Sequence, residues 1–140
     1  MLIELLNIFL LLKNQPMLKD SLYTIQNITE ENNTIEAIIE LDEHHAIFQG
    51  HFPGQPVLPG VCMLQMTKEI LEIFFNYKVQ LSKADDIRFL ALVDPTQNKE
   101  LKFIIQYELS ETKSFTMNAR ITMNDDVVCC KIKAVFNQQD

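Results

Sequence analysis

The sequence has no tryptophan, three glycines, five prolines and three cysteines among its 140 residues. Three cysteines, two of them adjacent at Cys129 and Cys130, make neither a disulfide framework nor a spaced metal site. Reduced thiols in a cytoplasmic protein are the expectation. Basic residues are also scarce: 12 Lys and Arg against 19 Asp and Glu, for a net charge of −7. Those cations are scattered along the chain, whereas binding to a phosphate backbone needs them clustered, which argues against nucleic acid as a partner. Long apolar runs are missing as well. Leu2–Leu12 is apolar apart from Glu4 and Asn7 but stops at Lys13, well short of the roughly 20 residues of a membrane span. It has neither the leading positive charge nor the trailing small-residue site of a secretory signal. A short helix over this segment, ended by Asn14-Gln15-Pro16, is expected, giving an N-terminal extension over 1–16 and one domain over 17–140. Met17 is a second candidate start.

What is present is 47% hydrophobic residues, enough for one globular core. Leu22–Ile28 and Thr34–Leu41 are two β-type runs, and the polar Glu30-Glu31-Asn32-Asn33 between them predicts a hairpin. A loop, Asp42–Pro59, carries all three histidines. Gly60–Tyr77 then reads as a long apolar helix. Its polar positions Gln65, Glu69, Glu72 and Asn76 recur at spacings of 4, 3 and 4 and form one stripe. Four further β-type runs follow: Asp86–Val93, Leu101–Leu109, Ser114–Met123 and Val127–Phe136. The alternation of Phe115, Met117, Ala119, Ile121 and Met123 with Thr116, Asn118, Arg120 and Thr122 predicts an antiparallel strand with one wet face. The connections Asp94–Glu100, Ser110–Lys113 and Asn124–Asp126 are short enough for successive hairpins. Together these runs predict an α+β domain, an antiparallel sheet curled around one long central helix.

The few glycines and prolines are concentrated in one place, Gly50-His51-Phe52-Pro53-Gly54-Gln55-Pro56-Val57-Leu58-Pro59-Gly60-Val61. Pro53, Pro56 and Pro59 restrict the backbone, and Gly54 allows a positive φ. Gly60 opens a helix, where unpaired N–H groups and a positive dipole end can polarise a carbonyl. A histidine delivered to such a donor suits removal of a proton α to that carbonyl. His44 and His45, adjacent in the same loop, match no standard metal spacing.

The segment GHFPGQPVLPGV resembles the signature loop of the 3-hydroxyacyl-(acyl carrier protein) dehydratases, and the order of strands and helix from about Ser21 to Phe136 is also similar to theirs. The resemblance implies a hotdog fold and a dimer or higher oligomer, formed either by this chain alone or with another hotdog subunit. It places two sites at the dimer interface and implies neither metal nor cofactor. His51 would be the catalytic histidine, and Gly60 the glycine whose N–H binds the thioester carbonyl. Phe52, Pro53, Gly54, Pro59 and Val61 would contact substrate, with Phe52 and the apolar helix flank lining an acyl tunnel. The substrate would be a (3R)-hydroxyacyl chain on the phosphopantetheine arm of acyl carrier protein, and the product the trans-2-enoyl thioester.

The family pattern carries a carboxylate five residues after the glycine and a glutamine one turn further on. Here those positions hold Gln65 and Glu69, so the pair is exchanged. Several readings follow. Glu69 acts as the acid from one turn away; His51 acts alone or through a water held by Gln65; or the chain is a subunit that binds acyl carrier protein or pairs with an active paralogue. Glu69 also reads as a plain solvated residue on the polar stripe. A hotdog thioesterase is a weaker alternative. The family's Pro-His-Arg-type segment before the first strand is absent from Asn14–Ser21. Because both the chain and acyl carrier proteins are acidic, docking requires a local basic patch, for which Lys68, Lys78, Lys83 and Arg88 are candidates.

Overall fold

The computed structural model describes residues 17–139, apart from the side chain of Asp125. The helix expected over Leu2–Leu12 lies outside them. β1 (Tyr23–Glu31) and β2 (Thr34–Leu41) form the first hairpin. Glu31 and Glu30 continue β1, so the turn is the two-residue Asn32-Asn33, with φ of 51° and 59°. Asparagine tolerates that left-handed backbone, which matches the twist of the strands it joins. The His-bearing segment contains one helical turn, α1 (Ile47–Gly50), which buries Phe48. α2 (Gly60–Phe75) follows. It ends two residues before the expected Tyr77, because Asn76 takes a left-handed cap (φ 60°) and donates its N–H to the Glu72 carbonyl.

β3 (Val79–Phe89), β4 (Glu100–Leu109), β5 (Ser114–Met123) and β6 (Val127–Gln138) complete a six-stranded antiparallel sheet in the order β1-β2-β4-β5-β6-β3. β4–β5 and β5–β6 are the hairpins that chain spacing predicts. Asp94–Glu100 is not one: β3 pairs with β6 at one edge, while β4 lies beside β2. The third β-type run is also displaced, to Val79–Phe89 rather than Asp86–Val93. Register shifts at Ser82 and Asp85, within the mostly polar Ser82–Asp86 stretch, break the alternation there. Leu90–Val93 leaves the sheet instead, with Val93 buried and its carbonyl accepting the Leu58 N–H at 2.9 Å.

α2 is buried at Cys62–Thr67 and Glu69–Glu72, against inward side chains of the strands such as Ile35, Phe103, Ile105, Met117 and Ile121. β5 alternates as expected up to Ile121, with Phe115, Met117, Ala119 and Ile121 inside and Thr116, Asn118 and Arg120 outside, but a register shift after Ile121 buries Thr122, expected on the wet face. The expected polar stripe on α2 is not a wet face. Gln65 is 3% exposed, Glu69 1% and Glu72 9%. Glu72 accepts the Val79 N–H at 2.9 Å and so fastens the end of α2 to the start of β3.

All three cysteines are buried and reduced. Burial raises the thiols of Cys62 and Cys129 to about 11 and that of Cys130 to about 12, with the Glu69 charge adding to the rise at Cys62 and Cys129 to that at Cys130. Native protein at pH 8 should therefore titrate essentially no thiol with an aromatic disulfide reagent, and all three after unfolding. The same shifts set the sign in alkali. The thiols' contribution to stability is fully present below about pH 9 and is lost as pH rises through about 11 to 12.

Candidate active site

His51 follows α1 and donates its backbone N–H to the Ile47 carbonyl at 3.1 Å. Its side chain and main chain both engage Val57. Nδ1 lies 3.1 Å from the Val57 carbonyl, and the Val57 N–H donates to the His51 carbonyl at 2.8 Å. A carbonyl only accepts, so Nδ1 carries the proton and Nε2 of the neutral ring keeps its lone pair. The prolines explain why this holds. Phe52 and Gln55 exchange backbone hydrogen bonds at 3.0 and 2.9 Å around Gly54, whose φ is +75°, closing a turn that brings Val57 back to His51. Phe52 stacks on the His51 ring, with centroids 4.1 Å apart, and is 53% exposed. It is a lid on the imidazole in this chain, not part of the core.

Pro59 caps α2 in extended backbone, and Gly60 is its first residue. The Gly60 N–H, at the first turn, has no intrahelical carbonyl to meet. Gly60 makes a close approach: a Cβ at residue 60 would lie 2.5 Å from the Phe89 ring, so that half-exposed ring would have to shift. That ring comes from the end of β3, a contact that no spacing in the sequence announces. Val61 is partly buried beside it on α2, whereas Pro53 and Gly54 are exposed.

The exchanged pair sits further along α2. Glu69 Oε2 accepts the Leu18 N–H at 2.8 Å and the Gln65 Nε2–H at 2.7 Å. Its Oε1 accepts the Lys19 N–H at 2.8 Å and the Tyr23 hydroxyl at 2.9 Å. The expectation of a solvated Glu69 is thus overturned, because four donors converge on it in the interior. Burial and the Glu69 charge push the Tyr23 phenol upward, so it stays a donor. Gln65 spends its amide N–H on Glu69, and its Oε1 is buried without a hydrogen-bond partner.

The other histidines are accounted for locally. His45 Nδ1 accepts the Ile47 N–H at 3.0 Å, and the His44 side chain is exposed near Glu43. The basic residues proposed for docking are largely matched by the chain's own acids. Lys83 pairs with Asp85 at 3.1 Å, Arg88 with Asp86 at 2.9 Å, and Lys78 lies 4.0 Å from Glu72. Arg120, Lys131 and Lys133 instead line a groove on the outer face of the sheet. Arg120 and Lys131 are direct cross-strand partners, and among the described residues none of the three forms an ion pair. On the inner face, Leu64 and Thr67 of α2 meet Ala84, Ile87, Met117 and Phe136 around a narrow apolar crevice. Among the described residues no helix is long and apolar enough to cross a membrane.

A family model described as ApeI dehydratase, ApeI-like, matches residues 27–132. Curated relatives include a 3-hydroxyacyl-[acyl-carrier-protein] dehydratase FabZ of Aeromonas hydrophila, 32% identical over 111 residues, 73% of this chain and 71% of that protein. A FabZ of Haemophilus influenzae is 30% identical over 108 residues, 71% of this chain and 72% of that one. Among solved structures, the dehydratase heterocomplex ApeI:P from Xenorhabdus doucetiae aligns with a TM-score of 0.68 at 18% identity, covering 81% of this chain and 96% of that one. A thioesterase of Haemophilus influenzae, HI1161, aligns at 0.60 and 17% identity over 97% and 90%. These structural likenesses establish the fold, which both dehydratases and thioesterases use. With the family match spanning most of the chain, this is a hotdog-fold protein of the 3-hydroxyacyl-(acyl carrier protein) dehydratase family, of the ApeI-like kind.

Proposed function

We propose that the chain eliminates water from a (3R)-3-hydroxyacyl thioester carried on acyl carrier protein, giving the trans-2-enoyl thioester, with His51 as the base and the Gly60 N–H as donor to the thioester carbonyl. The observation that carries this reading is the hydrogen bond from His51 Nδ1 to the Val57 carbonyl, which leaves Nε2 as a free base. Polarising the carbonyl from a helix N-terminus acidifies the α-proton that Nε2 removes. Phe52, Pro53, Gly54, Pro59 and Val61 line the approach, and the apolar crevice beside Leu64 and Thr67 is the path assigned to the acyl chain. Gln65 occupies the position of the family's acid, and Glu69 stands behind it. Neither metal nor cofactor enters the reaction. The carrier's acidic surface would meet Arg120, Lys131 and Lys133, which form no ion pair among the described residues, in a groove that Asp86 also lines.

The test is conversion of 3-hydroxyacyl-carrier protein to enoyl-carrier protein by purified protein, with free acid measured alongside. Enoyl product supports the reading; free acid without enoyl product supports a thioesterase instead. Gly60→Ala should lower kcat/KM roughly tenfold by displacing the Phe89 ring that packs on the donor residue. It should leave the melting temperature within a few degrees, because the group displaced is the half-exposed Phe89 ring. Adding Phe89→Leu to that variant should restore part of the loss.

A second reading is a hotdog subunit that works with another hotdog chain. It is favoured by the outer edge of β3, which no strand among the described residues pairs, and by the exposure of Phe89, Leu90 and Leu92 at and beyond its end, features that self-pairing also satisfies. Native mass spectrometry separates the two: a stable homodimer with turnover supports the homomeric enzyme, and a monomer without turnover supports the partner subunit.

A further inference from the structure

We propose that the outer face of the sheet carries a phosphate-binding site, formed by Arg120, Lys131 and Lys133 with the side-chain amides of Asn118 and Gln106. All five line one groove there, and the strand register sets them on a grid. Ile104, Arg120, Lys131 and Arg88 are successive cross-strand partners over β4, β5, β6 and β3. Gln106, Asn118, Lys133 and Asp86 form the next row on the same face. Three cations therefore stand side by side in the first row, with a fourth next to them in the second. Like charges placed opposite each other across strands are destabilising, and the chain does little to relieve this. Asp86 is the one carboxylate in these two rows, and Arg88 takes it at 2.9 Å. Arg120, Lys131 and Lys133 form no ion pair among the described residues. In a chain of net charge −7, such a row is accounted for by an anion that the chain itself does not supply.

The surroundings of the block decide which kind of anion it takes. Glu36 of β2 is the cross-strand partner of Ile104, and Glu108 of β4 stands one row beyond Gln106. A broad acidic surface laid over the block meets these carboxylates as well, whereas a compact anion sits inside them. A phosphate accepts two parallel N–H groups from an arginine and a point charge from a lysine. Cross-strand partners lie about 5 Å apart at Cβ, so one phosphate reaches Arg120 and Lys131 together. The exposed Asn118 and Gln106 amides, unengaged among the described residues, add neutral donors. The site stands apart from the dehydratase reading, although that reading supplies one source, the phosphodiester at the root of the carrier's arm. Arg88 and Phe89 are consecutive on the edge strand β3, and the Phe89 ring packs on Gly60. The block thus lies across one sheet from the proposed carbonyl donor, and the way round β3 joins the two. The other source is a free phosphorylated compound.

The first measurement is thermal unfolding in pyrophosphate and in sodium chloride at matched ionic strength. It compares wild type with the triple variant Arg120→Gln, Lys131→Gln, Lys133→Gln. Wild type should gain several degrees more in pyrophosphate than in chloride, and the variant should lose that difference. Without the stacked charges, the variant should also be at least as stable as wild type in phosphate-free buffer of low salt. An equal gain in the two salts, or a pyrophosphate gain that survives the triple substitution, overturns the site. So does a variant several degrees less stable at low salt, because the cations would then stabilise the sheet unaided. The source is read from the binding of octanoyl-4′-phosphopantetheine and octanoyl-pantetheine, neither of which can lose water. Roughly tenfold tighter binding of the phosphorylated compound, lost in the triple variant, assigns the site to the carrier's arm. Equal binding beside a specific pyrophosphate effect assigns it to a free phosphorylated compound. Binding of neither octanoyl compound defeats the dehydratase reading and leaves the site to stand or fall on the pyrophosphate result.

Discussion

Glu69→Ala is expected to cost the protein on the order of 4 kcal/mol or more, lowering its melting temperature by ten degrees or more, as read by thermal or urea unfolding. The reason is the number of donors abandoned at once. The N–H groups of Leu18 and Lys19, the Tyr23 hydroxyl and the Gln65 amide all converge on one buried carboxylate. Removing it leaves them in an interior where each unmet donor costs about 1–3 kcal/mol. Entry of water into the space left behind offsets part of that sum. Tyr23→Phe, which removes one donor and leaves the carboxylate three others, should cost only about 1 kcal/mol. A Glu69→Ala protein as stable as wild type would mean that the N-terminal strand is anchored to α2 by something other than this carboxylate.

The second large effect is kinetic. On the proposed reading, His51→Ala should reduce turnover of a 3-hydroxyacyl thioester about 10²–10⁴-fold, the range for a general acid–base group. Its melting temperature should move little, since the ring is only part-buried and makes a single side-chain hydrogen bond. A loss below about tenfold would show that another group removes the α-proton. Gln65→Glu in otherwise wild-type protein should act in the opposite direction on the leaving group but set two carboxylates side by side. Any gain in turnover is therefore expected to come with a drop in stability.

Several features were legible in the sequence because they depend on neighbours along the chain. Alternation in Ser114–Met123 gave β5 its buried and wet faces, and the apolar density after Gly60 predicted a helix that other elements must wrap. The Pro/Gly pattern around His51 singled it out from His44 and His45. Contacts between distant segments were not legible. Spacing suggested that β3 and β4 would pair, but pairing is settled by which edge is free when the sheet closes, and β6 takes β3. The Phe89 ring over Gly60 joins residues 29 apart, and the Leu18 and Lys19 amides reach Glu69 across 51 and 50 positions. A polar stripe on a helix reads as solvated until something packs over it; here Leu18, Lys19 and β1 do so and supply the donors that make burial of a carboxylate tolerable.

The sequence by itself therefore determined the central helix, five of the six strands and the family, which follow from local backbone preference, period and motif, but not the bounds of β3 or the turn of helix before His51. The tertiary structure alone decided the tautomer of His51, the orientation of the Gln65 amide and the role of Glu69. Each of these depends on which donor or acceptor faces a group in the interior, and that is fixed only when distant segments meet.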